Sequence, residues 1–462
     1  MIGDAAYVAA ARNASYPPRA GNAVRPLVDG VPAFRRICEA VESARSSVWV
    51  TVAFIDRDAP MPDGRGSFFD VLDRAAARGL DVRALFWREP RIDEVEPGSK
   101  HFEGTKEERR WLASRGSRFA ARWDRLPDGW CQHQKSWLVD ATEAGEVAFV
   151  GGINLDAASA GSQPGHAHAA HEHVHDVYLE LRGPAASDVH HNFVQRWNGA
   201  SDRAEADGAW PDATAADDLA FPRTLSSAAG DVPVQISRTV LAGRYSDGTA
   251  APLHKPFPIA DGESSVLEQY MAALGAARRA IYLENQAIGS PGVVDALANA
   301  LDRGVEVVFL VPGNAHPAFV EARRDPRAAF FFEKLAGLRR HQNFTLAAIA
   351  SSHAGGGFDE IYVHAKIAIV DDTWATIGST NVAERSFHSD TELNASFWHS
   401  DTARALRVEL FEEHLGIDTA ELDDRPALRL FRETALLNSD RRGRREPLQG
   451  LAYAIDPGDY GT

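Results

Sequence analysis

Cysteine and long apolar runs are both scarce in this chain of 462 residues. Its two cysteines, Cys38 and Cys131, cannot build a disulfide framework, which fits a reducing compartment. No run of about 18 apolar residues occurs, so we expect no membrane-spanning helix. Residues 1–20 lack a basic region followed by an apolar core, so we also expect no Sec-type signal peptide. We therefore predict a cytoplasmic protein that meets membranes peripherally, while export by another route stays compatible with the sequence.

Basic residues are outnumbered, and lysine is rare among them. The chain has 49 Lys and Arg against 65 Asp and Glu, which gives a formal net charge of -16. An acidic surface disfavours a broad nucleic-acid footprint, so we expect no nucleic-acid partner, although one local cationic pocket remains compatible. Only six lysines occur in the whole chain. A lysine that recurs within a repeated pattern is therefore informative.

Two of these lysines belong to a pattern that the chain contains twice. Residues 131–140 read CQHQKSWLVD and residues 363–371 read VHAKIAIVD, so both contain HxKxxxxD. A His and a Lys two positions apart on a strand point to the same face, about 6 to 7 Å apart, and can meet one anion. Two such strands would supply two imidazoles and two ammonium groups to one phosphate, whereas the competing explanation is a pair of ordinary hairpin strands. The first signature pair is His133 and Lys135, and the second signature pair is His364 and Lys366.

The similarity between the two halves extends beyond these motifs. Residues 44–52 resemble residues 277–284, and residues 75–86 resemble residues 300–310. In each case a helix ends and a strand begins. The corresponding positions are separated by about half of the chain, which indicates a duplicated α/β unit.

Strands rich in Val, Ile, Leu and Phe alternate with Ala-, Arg- and Glu-rich helices in each half. This alternation predicts an α/β fold with two similar sandwich domains, each a mixed, mainly parallel sheet flanked by helices. We predict the domains at residues 1–220 and 221–462, with the polar stretch 201–218 as the linker. Pseudo-twofold symmetry would place one shared active site between them. Because both half-sites lie on one chain, a homodimer is not needed and we expect a monomer.

The duplicated motif resembles the signature of the phospholipase D superfamily, in which HxKxxxxD is followed by GGxN or GSxN. The first copy continues to GGIN at residues 151–154, and the second continues to GSTN at residues 378–381. Three further segments resemble the phospholipases of this superfamily rather than its nucleases: residues 175–198, 281–286 and 413–416.

The resemblance implies that a phosphodiester is cleaved in two displacements. One histidine attacks phosphorus and forms a covalent phosphohistidine, while the other donates a proton to the leaving alcohol and then activates water or an acceptor alcohol. By the same resemblance we predict His133 as the nucleophile and His364 as the acid and base, although the sequence itself leaves this order open. Lys135 and Lys366 would neutralise the phosphate oxygens.

Four acidic residues accompany the signature pairs. Asp176, 43 residues after His133, and Glu392, 28 residues after His364, match the superfamily positions of the carboxylate that orients each imidazole, with surface acids as the alternative for each pair. Asp140 and Asp371 have the wrong strand parity to join the His and Lys of their own motif, so we predict that they fix the following turn.

Six further residues are predicted to contact the substrate. Two asparagines would act as amide donors within the GGxN and GSxN segments. A third segment, residues 284–286, follows an apolar strand and should lie at its end near the cleft mouth. It would contact the substrate or support the residues that do, and a plain strand-end turn is the alternative. The predicted substrate contacts are Gly152, Asn154, Ser379, Asn381, Glu284 and Gln286.

Residues 165–176 carry histidines at positions 166, 168, 171, 173 and 175. Imidazoles at short spacing can bind a transition metal. The sequence shows no Cys or clustered carboxylate that completes such a site, so we favour an exposed loop. We predict no metal and no cofactor for catalysis, because two lysines already supply positive charge.

These features predict a phospholipase D that hydrolyses glycerophospholipids at a membrane surface to phosphatidic acid and a free headgroup. Transfer to an alcohol would occur when an acceptor outcompetes water. A phosphatidyltransferase, such as a cardiolipin or phosphatidylserine synthase, is the second candidate. It ranks below the phospholipase because no membrane anchor is evident in the sequence. A catalytically inactive lipid-binding protein is a third candidate, and the intact His, Lys and Asn residues in both copies argue against it.

Overall fold

A computed structural model of the chain describes residues 7–89, 102–127, 129–141, 143–166, 173–200, 217–246, 248–353 and 357–462. Residues 201–216, which form most of the predicted linker, lie outside the described residues. No helix in the described ranges is long and apolar enough to cross a bilayer.

The first half of the chain contributes one sheet. Its strands are β1 (Arg19–Val28), β2 (Ser47–Val52), β3 (Asp81–Trp87), β4 (Ala120–Asp124), β5 (Ser136–Val139), β6 (Val147–Gly151) and β8 (Val177–Arg182), whereas β7 (His173–His175) pairs with a strand of the second half. The order across the sheet is β1, β8, β6, β5, β2, β3, β4. The first signature pair therefore leads into β5, a central strand.

The second half repeats this order in a second sheet. Its strands are β9 (Val232–Val240), β10 (Glu263–Ser264), β11 (Ala280–Asn285), β13 (Glu306–Leu310), β14 (Phe344–Ser352), β15 (Phe358–Val363), β16 (Lys366–Val370), β17 (Trp374–Gly378), β19 (Glu392–Trp398) and β20 (Ala452–Ile455). The short strands β12 (Ile288–Gly289) and β18 (Val382–Ala383) form a separate two-stranded sheet. The equivalent order is β9, β19, β17, β16, β11, β13, β14. Strand β16, which carries the second signature lysine, thus occupies the position of β5.

Helices connect the strands and cover the sheets. They are α1 (Gly30–Ser43), α2 (Phe68–Ala77), α3 (Lys106–Ser114), α4 (Ala157–Ala160), α5 (Ala186–Gly199), α6 (Ser265–Ala276), α7 (Pro291–Asp302), α8 (Pro317–Arg324), α9 (Ala329–Gly337), α10 (Glu384–His388), α11 (Ser400–Leu415) and α12 (Asp424–Arg444). Helix α2 begins at a capping box in which Ser67 and Asp70 exchange hydrogen bonds with each other's backbone.

The predicted α/β fold class is confirmed. The predicted parallel pairing is found in β2–β3–β4 and in β11–β13–β14, with shorter parallel contacts between β7 and β15 and between β12 and β18. Strands β5 and β16 run antiparallel to both of their neighbours. On one side this direction follows from the short hairpins that join them to β6 and β17. The signature motifs therefore lie on strands whose ends are held from both sides.

Three main apolar cores fix the relative position of these layers. One packs α1, α2 and α3 on the first sheet, and a second packs α6, α7 and α9 on the second sheet. The third contains side chains of both sheets and of α5, α11 and α12. Helix α1 illustrates why the helices pack on the sheets. Its apolar side chains recur at helical spacing, so Phe34, Ile37 and Val41 share one buried face.

Backbone pairing also crosses between the halves. Strand β1 pairs with β8 of its own sheet and with β9 of the other sheet. Strand β7 pairs with β15, and Gln132 forms an isolated bridge with Thr391. These crossings bring the starts of β5 and β16 to the same region.

Candidate active site

Each signature histidine is anchored by the backbone of the other half. The N–H of His133 donates to the carbonyl of Thr391 at 3.0 Å. The N–H of His364 donates to the carbonyl of His175 at 2.8 Å. Both acceptors lie one residue before the carboxylates that were predicted to orient an imidazole.

Those carboxylates hold the imidazoles in the same exchanged manner. Glu392 places both carboxylate oxygens 3.0 Å from Nδ1 of His133. Asp176 places Oδ2 2.6 Å from Nδ1 of His364. Because Nδ1 of each ring is engaged by a carboxylate, Nε2 is the ring nitrogen that remains for a substrate.

The signature lysines are buried beside their histidines. Lys135 Nζ donates to the carbonyl of His133 at 3.0 Å and lies 5.4 Å from the Phe54 ring centroid. Lys366 Nζ donates to the carbonyl of His364 and lies 3.3 Å from Oε1 of Gln286. Burial lowers the pKa of Lys366 to about 7 and also lowers the pKa of Lys135. An anion nearby would favour the charged form of both ammonium groups.

Contacts across the motifs show that the two signature pairs converge. A Cβ on Gly152 would lie 2.6 Å from Oδ1 of Asp176 and 3.0 Å from Cδ of Lys366. Glycine is therefore required where the first motif packs against the second lysine. Burial, followed by the positive charges of both signature lysines, holds the pKa of His133 and of His364 well below the usual range.

Burial also raises the pKa of the two orienting carboxylates, to about 6 for Asp176 and about 7 for Glu392. A hydroxyl hydrogen bond from Ser379 stabilises the charged form of Glu392, whereas Asp176 accepts the N–H of Val177 at 2.7 Å. The two halves therefore build similar but unequal environments. Identical imidazoles can take different protonation states in such a pair of sites.

Comparison with protein families agrees with this arrangement. A family profile described as "Cardiolipin synthase, PLD-like domain" matches residues 270–415, and one described as "Phospholipase D" matches residues 156–296. The chain belongs to the phospholipase D superfamily.

The relatives with similar sequences include both cardiolipin synthases and a phospholipase D. The chain is 26% identical to cardiolipin synthase 1 of Staphylococcus epidermidis, over 65% of this chain and 51% of that protein. It is 24% identical to cardiolipin synthase A of Pseudomonas aeruginosa, over 82% and 64%. It is 22% identical to phospholipase D A of Dictyostelium discoideum, over 87% and 36%. The chain thus spans about half of the length of the first of these relatives.

A solved structure of another protein shares the fold of this chain. The phosphatidylserine synthase of Haemophilus influenzae aligns with a TM-score of 0.56 at 14% identity. The alignment covers 93% of this chain and 97% of that one. At this identity the likeness establishes the fold alone.

The superfamily asparagines follow β6 and β17. Each has a buried side-chain oxygen, Oδ1 of Asn154 and Oδ1 of Asn381, without a hydrogen-bond partner among the described residues. Buried polar atoms are normally paired, so each oxygen can accept a further hydrogen bond. The role of both amides as donors to the substrate stays a prediction.

The motif aspartates act on neighbouring strands. Asp140, at φ 57°, accepts the N–H groups of Arg45 and Ser46 at 2.7 and 2.8 Å. Asp371, at φ 54°, accepts the N–H of Arg279 at 2.7 Å. They hold the segments that enter β2 and β11, in addition to occupying the turns after β5 and β16.

Glu284 lies one residue before the end of β11, close to its predicted position, and its predicted contact with the substrate stays a prediction. Strand β11 continues through residue 285, so Glu284 is fully buried within it. Its carboxylate accepts hydrogen bonds from Tyr282 and lies 2.8 Å from Nε2 of His175 and 3.1 Å from Nε2 of His414. Gln286, beyond the strand, does lie beside Lys366.

The expectation of an exposed histidine loop is wrong at the two ends of that segment. His166 and His175 are buried, while His168 and His171 lie outside the described residues. Sequence inspection missed Asp29, whose carboxylate faces both buried rings at 3.4 and 3.2 Å. The one signal in the sequence that could have indicated Asp29 is its position directly before the start of α1.

Proposed function

We propose that this chain is a phosphatidyltransferase that works through a covalent phosphohistidine. It would cleave a glycerophospholipid phosphodiester and pass the phosphatidyl group to the hydroxyl of an acceptor alcohol at a membrane surface. The observation that carries the proposal is the exchanged pair of contacts, Glu392 on His133 and Asp176 on His364, with both lysines beside them. Two of the relatives named above are cardiolipin synthases, which favours transfer over the hydrolysis that the sequence suggested.

In the first displacement, Nε2 of His133 attacks phosphorus and forms a P–N bond. The P–O bond to the leaving alcohol breaks, and the protonated His364 donates its proton to that oxygen. Lys135 and Lys366 offset the negative charge that increases on the phosphoryl oxygens.

In the second displacement, the neutral His364 removes the proton of the acceptor hydroxyl. The acceptor oxygen then bonds to phosphorus, the P–N bond breaks, and His133 is released. Water in place of the acceptor would give phosphatidic acid, so hydrolysis is the second candidate function.

The two carboxylates support this division of roles. The contact from Asp176 to His364 is shorter than the contacts from Glu392 to His133, 2.6 Å against 3.0 Å, as expected for a charge-assisted bond. Burial raises the pKa of Asp176 to about 6 and that of Glu392 to about 7. An ionised Asp176 would oppose the burial and the lysine charges that lower the pKa of His364, and the anionic phosphodiester of a bound substrate would favour the imidazolium further.

Vesicles of phosphatidylglycerol, with and without an added primary alcohol other than glycerol, test the function. We expect transfer products to exceed phosphatidic acid, and both to disappear in His133→Ala. Phosphatidic acid as the dominant product at every acceptor concentration would instead establish hydrolysis.

A nitrophenyl phosphodiester tests the division of roles, because its leaving group needs no proton. We expect His364→Ala to accumulate an acid-labile phosphohistidine, whereas His133→Ala gives none. His190→Gln is a matched control, since His190 is another buried histidine held by a carboxylate, Glu146 at 3.0 Å. Trapping on residue 364 in His133→Ala would reverse the roles.

A further inference from the structure

Four side chains meet behind the second signature pair and take no part in the proposed reaction. Asp29, His166, His175 and Glu413 each offer one ligand atom, and these atoms lie within 4.8 Å of one another. They come from the segment before α1, the turn after α4, strand β7 and helix α11, so the sequence does not reveal their proximity. We refer to these four residues as the histidine–carboxylate cluster.

Four separations within the cluster are close to the ligand–ligand separation of a tetrahedral metal site. Nε2 of His166 lies 2.9 Å from Oε1 of Glu413 and 3.4 Å from Oδ2 of Asp29. Nδ1 of His175 lies 3.2 Å from Oδ1 of Asp29 and 3.5 Å from Oε1 of Glu413. Metal–ligand bonds of about 2.0 to 2.1 Å place neighbouring ligands of a tetrahedral Zn²⁺ site about 3.3 Å apart.

The cluster also holds polar atoms that lack other partners. Oδ2 of Asp29, Nδ1 of His175 and Oε1 of Glu413 are buried, and beyond the close contacts within the cluster they have no hydrogen-bond partner in the described ranges. Leaving a buried polar group unsatisfied costs about 1 to 3 kcal/mol, and more when the group is charged. A dication would coordinate these atoms and neutralise the two carboxylates.

Backbone strain accompanies two of the four residues. Asp29 has φ 66° and ψ 164°, a conformation that is normally restricted to glycine. His166 has φ 45°. Such conformations are each unfavourable by about 1 to 3 kcal/mol and concentrate where a ligand or a reaction requires them.

A second layer of contacts orients one of the imidazoles. Glu284 lies 2.8 Å from Nε2 of His175 and is itself contacted by Tyr282 and His414. A carboxylate on the outer nitrogen fixes the tautomer so that Nδ1 of His175 can bind a metal. This explains why Glu284 is buried in β11.

We propose that the histidine–carboxylate cluster binds one divalent transition-metal ion of the Zn²⁺ class. Two imidazoles and two carboxylates suit Zn²⁺, and four protein ligands leave no open position, so the ion is structural. The carbonyl of His175 accepts the N–H of His364, and the next residue, Asp176, holds the ring of His364. The ion would therefore join elements of both halves and fix the second signature histidine, whatever reaction the site performs.

Metal analysis of the full chain tests the proposal directly. We expect about one equivalent of Zn²⁺ to remain after dialysis against metal-free buffer. We also expect the chelator-stripped chain to regain one Zn²⁺ on titration with ZnCl₂, with a rise in Tm. The Co²⁺-loaded chain should show the visible absorption of a tetrahedral site. A stripped wild-type chain that is folded and takes up no Zn²⁺ overturns the proposal without any variant.

Two variants and two controls locate the site. Glu413→Gln and His166→Gln should each weaken Zn²⁺ affinity at least tenfold, whereas Glu146→Gln, which disturbs a different buried histidine–carboxylate pair, should not. The double variant His168→Ala/His171→Ala should also bind normally. Loss of binding in either control, or unchanged binding in Glu413→Gln, contradicts the assignment.

Discussion

The imidazole of His364 is oriented by Asp176, a residue of the opposite half of the chain, at 2.6 Å from Nδ1. The reciprocal contact joins His133 and Glu392. Each half therefore contains a signature histidine and lysine, but the carboxylate that orients its histidine lies in the other half. Neither half holds a complete site, which gives the duplication a physical reason to stay as one chain.

Removing the acceptor beside His364 should disable the reaction without unfolding the protein. In Asp176→Asn the amide can donate toward Nδ1, which favours the wrong tautomer and removes the charge that stabilises an imidazolium. We expect kcat on phospholipid vesicles to fall by about three orders of magnitude with little change in KM. Steady-state kinetics measure this, with Glu146→Gln as control. A loss confined to KM would mean that Asp176 serves only in binding.

Gly152→Ala should damage the site by closing a gap between the two motifs. The new methyl group would lie 2.6 Å from Oδ1 of Asp176 and 3.0 Å from Cδ of Lys366. We expect at least a tenfold loss of kcat/KM and about 1 to 3 kcal/mol of lost stability, measured by denaturant unfolding. Gly145→Ala is the matched control, because a Cβ at Gly145 meets nothing within 4 Å. Equal effects of the two substitutions would contradict the close approach.

Anion binding should weaken as pH rises through neutrality. Burial lowers the pKa of Lys366 to about 7, so its ammonium is charged below that pH and neutral above it. Sulfate keeps its charge over this range, and we expect its calorimetric affinity to fall by up to about tenfold per pH unit above pH 7. Lys366→Arg keeps its charge and should flatten this dependence. An unchanged slope in that variant would place the titration elsewhere.

Asp371→Ala should lower stability while sparing the chemistry. The carboxylate of Asp371 accepts three successive N–H groups, those of Arg278, Arg279 and Ala280, at 2.7 to 2.8 Å. Their loss should lower the free energy of unfolding by about 2 to 3 kcal/mol, with nearly normal kcat for the folded fraction. Asp371→Asn retains one acceptor oxygen and should recover part of the stability. A large fall in kcat at normal stability would assign the residue to catalysis.

The fold was predictable because the duplication repeats the whole order of elements. Equivalent positions in the two halves are marked by the glycines that end α2 and α7 and by the apolar strands that follow them. Strand parity separated Asp140 and Asp371 from the signature pairs. The positions of His133, Lys135, His364 and Lys366 followed from their repeated spacing.

The remainder depended on contacts that the sequence does not encode locally. Which carboxylate serves which histidine is decided by crossed pairing, such as the bridge between Gln132 and Thr391. The sequence indicated that Glu284 lies near the end of an apolar strand, but it did not reveal that the side chain is buried against His175 and His414. Asp29 and Glu413 meet His175 only through the packing of α1 and α11.

A double-mutant cycle on the two signature histidines tests the central claim most directly, namely that both halves build a single site. The turnover of phospholipid vesicles is compared for wild type, His133→Ala, His364→Ala and the double variant. With one shared site, each single substitution should lower kcat by at least about a thousandfold, and the double variant should be no slower than the slower single variant. Two single variants that each keep about half of the activity, with complete loss only in the double variant, would contradict the account.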